Sequence, residues 1–191
     1  MIEKEKKLNE TKQKKAKGYS RGVESMFRNT ARMQINLSSI ADNKSNILIS
    51  VNAIIISITM TVLVSRFEET PNIIIPTLIF LSFSLVTIVF AILSTRPHVS
   101  PGTFRKKEIK QNKVNLLFFG NFYNMELEDY EWAIGEIMKN DDNLYSMMIQ
   151  DQHSLGKVLA KKYKLLRIAY NVFMFGIIIS TLSFVLAFII I

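Results

Sequence analysis

The sequence predicts an all-α integral membrane protein with three transmembrane helices. Long runs of residues without any charged side chain cover 47–65, 73–95 and 172–191. Each run is close to the roughly 20 residues that a helix needs to cross the hydrocarbon layer, which is about 30 Å thick. A helix of a soluble domain would keep a charged face, and none of these runs has one. We therefore expect the first, second and third transmembrane helices at these positions.

Lysine and arginine are distributed unequally among the segments outside these runs. Residues 1–46 contain 11 of them, residues 66–72 contain one, and residues 96–171 contain 12. Segments rich in lysine and arginine stay in the cytoplasm. We therefore expect a cytoplasmic N-terminus, an external hairpin at 66–72, a cytoplasmic segment at 96–171 and a C-terminus outside. Because largely polar residues precede the first run, we expect no cleaved signal peptide.

The first and third transmembrane helices are expected to continue into cytoplasmic helical stalks. Residues 1–22 are basic and include a Gly18–Gly22 interruption, so they predict a mobile arm. Helical spacing of apolar residues from Val23 predicts an amphipathic stalk at 23–46, continuous with the first span. In 96–171, a loop precedes a short helix near Leu127–Met138. A second helical pattern follows the capping candidates Asp141 and Asp142, and at about 1.5 Å per residue its length of about 70 Å exceeds the bilayer thickness.

Each span has one face of small or polar residues. These faces comprise Asn46, Ser50, Ala53, Ser57 and Thr61; Ser84, Thr87, Ala91 and Thr95; and Gly176, Ser180, Ser183 and Ala187. Helices associate in lipid through small residues, so the faces predict packing within one subunit. Alternatively, one face lines a pathway between subunits, and a wet lumen would explain Asn46 and Asn52.

The first span begins with an unusually polar stretch, ADNKSN, at Ala41–Asn46. Lys44 is suited to anchoring at the headgroups. We expect Asp42, Asn43 and Asn46 to hydrogen-bond to a neighbouring helix or to the cytoplasmic loop. The candidate gating or helix-packing residues are therefore Asp42, Asn43, Asn46, Ser50, Asn52, Gly176 and Ser180.

Two basic clusters and one aromatic segment are candidates for ligand binding. Lys157, Lys161, Lys164 and Arg167 form one cluster, and Arg105, Lys106 and Lys110 belong to the other. Both clusters suit either lipid phosphates or the phosphate of a nucleotide. The segment NLLFFGNFYN, which contains Asn115 and Phe119, suits either a hydrophobic plug or a surface that stacks a base.

The sequence gives little support to catalysis. It has no cysteine, no glycine-rich phosphate loop and no nucleophile motif. His98 and His153 lack neighbouring partners for a metal site or an acid–base pair. We expect a protein that is not an enzyme, with no catalytic residue, no metal site, no cofactor and no nucleic-acid partner.

Several segments carry a resemblance to a known family. In chain order they are SRGVESMFR, LSSIADNKSNILISVNAIIIS, NLLFFGNF, LEDYEW and LYSMMIQDQHSLGKVLAKKYKLLRIAYNVFMFG. With these segments the chain resembles, from Ser20 onwards, the transmembrane effector domain (PycTM) of bacterial Pycsar antiphage systems. The ADNKSN entry and the GKVLAKKYKLLR exit are the most specific parts.

The resemblance implies an inner-membrane effector that a cyclic pyrimidine nucleotide, cCMP or cUMP, activates during infection. By the same resemblance, activation is expected to impair the membrane and cause abortive infection. Many relatives resemble fusions to an N-terminal HD phosphohydrolase, which we do not expect here. We expect the bilayer, the nucleotide and further copies of the chain as partners, because three spans are too few to enclose a path alone. The alternative is a non-permeabilising anchor or scaffold for a soluble hydrolase or another signalling partner.

Overall fold

The computed structural model describes residues 2–97, 115–139 and 141–189, and all regular secondary structure within these ranges is helical. The helices are α1 (Ile2–Val62), α2 (Ile74–Thr95), α3 (Leu127–Met138) and α4 (Asp141–Ile189). Short 3₁₀ helices occupy Val64–Arg66, Pro71–Ile73 and Phe119–Asn121. Helices α1, α2 and α4 contain segments long and apolar enough to cross a membrane. These findings confirm the all-α class, the three spanning helices and the extension of the first and third beyond their apolar segments.

Helix α1 begins at Ile2, so the expected start near Val23 is wrong. The residues before Gly18 are rich in lysine and glutamate, which have high helix propensity. A glycine inside a helix costs only about 1 kcal/mol relative to alanine, and Gly18 and Gly22 lie within the helix without ending it. Composition alone suggested an arm, whereas the local propensities favour a helix. The mobility of residues 1–22 stays a prediction.

Proline residues determine where α2 begins and ends. Pro71 opens the preceding 3₁₀ helix, and Pro76 lies in the first turn of α2, where a backbone amide has no partner within the helix. Arg96 follows the helix with an extended ψ of 125°, because the ring of Pro97 disfavours helical geometry in the residue before it. The helix therefore ends at Thr95, directly before a cation.

The chain divides into two compact units. Unit 1 comprises Met1–Asn36 and Val99–Gly156, and unit 2 comprises Leu37–His98 and Lys157–Ile191. Both boundaries that fall in described residues lie inside helices, after Asn36 in α1 and after Gly156 in α4. Each of these two helices therefore contributes residues to both units.

The core of unit 1 contains large apolar and aromatic side chains. Leu116, Ala133, Ile137 and Met147 are buried, and five partly buried residues pack around them: Phe122, Met125, Trp132, Ile134 and Leu144. The ring of Phe122 also lies 4.6 Å from that of Tyr130. Such a core is typical of a domain that folds in water.

Unit 2 is packed through small residues. Ala41 of α1, Ala91 of α2 and Ala169 of α4 are fully buried together with Leu48 and Leu166. Gly176 of α4 lies so close to α2 that an added Cβ would be 2.6 Å from Cβ of Phe83. Large apolar side chains instead face outward, since Ile54, Leu85 and Leu182 are each more than half exposed. This distribution is typical of helices that contact lipid.

Candidate functional site

An ion pair joins α1 and α4 at the polar entry to the first apolar segment. The ammonium group of Lys162 donates to both carboxylate oxygens of Asp42 at 2.8 Å and to Oγ of Ser38 at 2.9 Å. These three acceptors satisfy the three donors of a lysine. The Lys162 side chain is only 17% exposed and that of Asp42 is 36% exposed. Asp42 thus has the partner on a neighbouring helix that the sequence predicted.

The sequence analysis did not select Lys162, although a signal for it exists. The residues of α4 that pack inside unit 2 recur at alternating steps of four and three: Lys162, Leu166, Ala169, Phe173, Gly176 and Ser180. Lys162 is the first residue of this stripe and the one charged residue in it. A charge on a packing stripe needs a partner, and Asp42 is the one acidic residue between Glu24 and Glu68.

The other polar residues at the entry are placed differently. Asn43 and Asn46 are exposed on α1, so the expected hydrogen bonds from them to a neighbouring helix are not present among the described residues. Ser45 is buried instead, and its hydroxyl shares a hydrogen bond with that of Ser94 in α2. The entry therefore contacts α4 through Asp42 and α2 through Ser45.

The three small-residue faces do not have the same surroundings. Ser84, Thr87 and Ala91 of α2 are buried within unit 2, and so are Gly176 and Ser180 of α4. The predicted face of α1 is exposed at every position: Asn46, Ser50, Ala53, Ser57 and Thr61. Helix α1 packs through another face, which carries Ala41, Ser45, Leu48, Asn52 and Thr59. Packing within one subunit thus accounts for the faces of α2 and α4, whereas the described residues leave that of α1 uncovered.

Two buried polar residues of unit 2 keep an unpaired oxygen. Asn52 is fully buried and donates from Nδ2 to the Leu48 carbonyl oxygen at 2.8 Å. Its Oδ1 and the Oγ of Ser180 have no hydrogen-bond partner among the described residues. The backbone bond explains how an asparagine is accommodated in the first span, and a wet lumen is not needed for Asn52.

Part of the predicted basic stripe lines a groove in unit 2. This groove, of about 210 Å³, is lined by Leu93, Ser94, Arg96, Lys157, Val158, Lys161, Lys162 and Leu165. Lys164 and Arg167 are exposed but do not line it. The sequence analysis missed Arg96, which lies far from the stripe in the chain and follows directly after α2.

Unit 1 contains a separate cleft of about 180 Å³. It is lined by Glu24, Phe27, Arg28, Ala31, Leu117, Met148, Asp151 and Gln152. The side-chain Nε2 of Gln152 donates to the backbone carbonyl oxygen of Phe27 at 3.0 Å. The side-chain oxygen of Gln152, Oε1, is left as an acceptor. Lining residues from α1 and α4 were not selected from the sequence, because residues more than 100 positions apart show no local pattern.

Two predicted ligand-binding residues belong to unit 1. Asn115 lies next to this cleft, and Phe119 lies on the surface of the unit. Asn115 is buried, and its Nδ2 donates to Oδ1 of Asp151 at 2.8 Å. Phe119 is 57% exposed, with its ring 4.9 Å from that of Phe118. Thus NLLFFGNFYN supplies both a core residue, Leu116, and an exposed aromatic surface. The other candidates, Arg105, Lys106 and Lys110, lie outside the described residues.

The described residues contain no group of three or more histidine, cysteine, aspartate or glutamate side chains that could hold a metal ion. The acidic residues of α3 include Glu128 and Asp129 in its first turn. There they favour the helix through its dipole.

A comparison with protein families finds a match. The model of the PycTM family, described as the Pycsar effector protein domain, matches residues 25–191. No curated protein and no solved structure matches the chain. The family match indicates an effector role in antiphage defence, in a transmembrane domain that includes residues of both units.

Proposed function

The chain belongs to the PycTM family of Pycsar effectors, and on this premise we propose that it is an antiphage effector of the bacterial inner membrane. A cyclic pyrimidine nucleotide, cCMP or cUMP, activates it, and activation impairs the membrane and causes abortive infection. The observation that carries this proposal is the family match over residues 25–191. The three apolar helices support a direct action on the membrane.

The nucleotide binds in the cleft of unit 1, with the N-terminus and this unit in the cytoplasm. Arg28 provides a cation for the cyclic phosphate, and arginine pairs well with phosphate oxygens. The free carboxylate oxygen of Asp151 and the carbonyl oxygen of Gln152 are acceptors. The exocyclic amine of cytosine and the N3–H of uracil are donors that match these acceptors.

Helices α1 and α4 are suited to transmit binding, because each has residues in unit 1 and in unit 2. A ligand shifts a conformational equilibrium only by its difference in affinity for the two states. A tenfold difference corresponds to about 1.4 kcal/mol. The Asp42–Lys162 pair, which joins the same two helices in unit 2, is the contact that changes on activation.

The active membrane state is a homo-oligomer that uses the exposed face of α1. Of the three small-residue faces, it is the one that packing among the described residues leaves uncovered. Small residues permit close contact between helices in lipid. Asn46, Ser50 and Ser57 add polar groups that can line a hydrated path between subunits.

The proposed activity can be tested with the purified full chain in liposomes that hold a potassium gradient and a membrane-potential dye. We expect cCMP or cUMP to collapse the potential, while cAMP and protein-free liposomes leave it intact. Collapse with cAMP alone would contradict selectivity for pyrimidines. An intact potential with every nucleotide, together with a soluble hydrolase that copurifies from the host, would favour the scaffold alternative.

The nucleotide site has its own test. Replacing Arg28 with glutamine is expected to weaken binding of radiolabelled cCMP or cUMP by about tenfold or more, because a charge-assisted bond contributes about 1.5–3 kcal/mol. Arg32→Gln is the matched control, since Arg32 is exposed one turn further along α1 and does not line the cleft. Equal binding by both variants would exclude this cleft as the phosphate site.

A further inference from the structure

The exposed side of the α1 stalk carries a seven-residue repeat. We call the six residues of this repeat the stalk seam: Met26, Asn29, Met33, Asn36, Ile40 and Asn43. Its three large apolar side chains are between 41% and 57% exposed, and its three asparagines are exposed as well. An apolar residue at every seventh position, with a second row three positions later, is the spacing of the a and d positions of a coiled coil. The stalk therefore presents a seam on which another helix can pack.

Helix α1 packs within its own chain through a different side. Phe27, Ala41 and Ser45 are buried. At 3.6 residues per turn, they lie about 140° around the helix axis from the middle of the seam. A partner on the seam would therefore leave these internal contacts in place.

Exposure of the seam to water is unfavourable. The seam precedes the first uncharged run, which begins at Ile47, so its apolar side chains lie outside the part of α1 that lipid tails can cover. Single exposed apolar residues are common on protein surfaces, whereas a continuous apolar row indicates a contact surface. Removal of Met26, Met33 and Ile40 from water would favour association.

Three properties of the seam suit a second copy of the same chain. Every copy crosses the membrane through the same apolar segments, which places two α1 helices parallel and level, so each seam residue faces its own counterpart. The seam contains no charged residue, although Arg28, Arg32 and Lys44 occur in the same stretch of α1, so like charges do not meet in it. The amide of asparagine both donates and accepts hydrogen bonds, and it can therefore pair with itself.

We infer that the stalk seam packs against the stalk seam of a second copy of this chain, as a parallel coiled coil in register. The inference rests on the homo-oligomer of the proposed function and extends its contact from the membrane to the stalk. The asparagine row continues along α1 at seven-residue steps to Ser50 and Ser57, which belong to the exposed face proposed for the oligomer. Asparagine at core positions fixes the register of a coiled coil at a cost in stability. The asparagine layers thus specify the partner and keep the association reversible.

Cysteine crosslinking of the full chain in liposomes tests this contact, because the unmodified chain has no cysteine. Asn36→Cys places a thiol in the seam. Ile35→Cys is the matched control, since Ile35 is 61% exposed and lies about 130° around the helix axis from the seam. Under mild oxidation and without nucleotide, we expect about tenfold more disulfide-linked dimer from Asn36→Cys, because a disulfide forms only where two Cα atoms come within about 7 Å.

A charge in the seam should break the contact. In the Asn36→Cys chain, Met33→Glu brings two carboxylates together, and we expect the crosslinked fraction to fall about tenfold, because a like-charge contact is unfavourable. Ile35→Glu in the same chain adds the same charge outside the seam and should leave the crosslinked fraction unchanged. Equal losses from both substitutions would overturn the seam. If Asn36→Cys fails to fold, Asn29→Cys gives the same decision.

The membrane-potential assay on the unmodified chain separates the seam from the proposed function. Crosslinking at position 36 without any nucleotide-dependent collapse would support the seam and contradict the effector activity. Collapse with equal crosslinking at positions 35 and 36, or with none at either, would overturn the seam and leave the effector activity in place.

Discussion

The two units of this chain are packed by different means. Unit 1 buries Leu116, Ile137 and Met147 with aromatic residues around them. Unit 2 buries alanines, Gly176 and hydroxyl groups with only a few leucines, while most of its large apolar side chains are exposed. Removal of apolar surface from water drives the first kind of packing. In lipid that force is missing, so close contact and hydrogen bonds must hold the helices together.

This difference predicts opposite responses to changes in side-chain size. A cavity should damage unit 1 most, and an added methyl group should damage unit 2 most. Variants of the Asp42–Lys162 ion pair then test what stabilises unit 2. Variants of the exposed face of α1 test what unit 2 uses for function.

The largest effect is expected for Leu116→Ala, which opens a cavity in the core of unit 1. Such substitutions usually cost about 2–5 kcal/mol in the free energy of unfolding. Hydrogen exchange of the α3 amides measures the loss. Leu117→Ala is the control, because the neighbouring side chain is 45% exposed and its loss should change stability by less than about 0.5 kcal/mol. Similar losses in both variants would mean that unit 1 lacks a well-packed core.

The next largest effect is expected for Lys162→Met. It leaves Asp42 without its partner in a partly buried setting, and we expect a cost of about 2–3 kcal/mol, below the usual figure for fully buried pairs. Thermal unfolding in detergent measures it. The charge-reversed double variant Asp42→Lys/Lys162→Asp should recover part of the loss. A double variant as unstable as the sum of its single changes would show that the pair contributes no coupling.

A smaller effect is expected for Gly176→Ala. The new methyl group would lie 2.6 Å from Cβ of Phe83, so α2 and α4 must separate slightly, at a cost of about 1–2 kcal/mol. Gly135→Ala is the matched control in a helix of unit 1, since a Cβ there meets nothing within 4 Å. That change should stabilise the chain by up to about 1 kcal/mol. The same sign of change at both glycines would remove the contrast between the units.

The smallest effect on stability is expected for Asn46→Leu. Asn46 is exposed on α1, so the substitution should preserve membrane insertion and change the unfolding midpoint little. We expect it to block nucleotide-dependent depolarisation, because it removes a polar group from the face proposed to form the path. Ile47→Leu, at the adjacent exposed position, is the control and should remain active. Full activity of Asn46→Leu would exclude a role for this polar entry.

Much of the fold follows from local sequence patterns. Uncharged runs predicted the three spans, and the observed bounds of α3 match the predicted helix at Leu127–Met138. The continuation of the first and third spans as longer helices followed from the absence of proline. These features depend on residues close together in the chain, so periodicity and composition are sufficient to find them.

The faces used for packing could not be predicted in the same way. The membrane part of α1 is apolar on all sides, and both the Asn46–Ser50 face and the Ala41–Ser45 face carry small residues. Hydrophobic periodicity cannot choose between them. The Asp42–Lys162 pair joins residues 120 positions apart, and its signal lies in the spacing of the α4 stripe. Clefts formed by α1 and α4 depend on the same long-range packing.

The unpaired oxygen of Asn52 has a consequence for how firmly unit 2 is held closed. A buried acceptor without a donor costs about 1–3 kcal/mol, and this one lies in the first apolar segment. Any rearrangement that lets a water molecule or a hydroxyl reach it recovers that energy. Relative to an arrangement in which this oxygen is hydrogen-bonded, the closed arrangement of unit 2 is therefore less stable by about that amount.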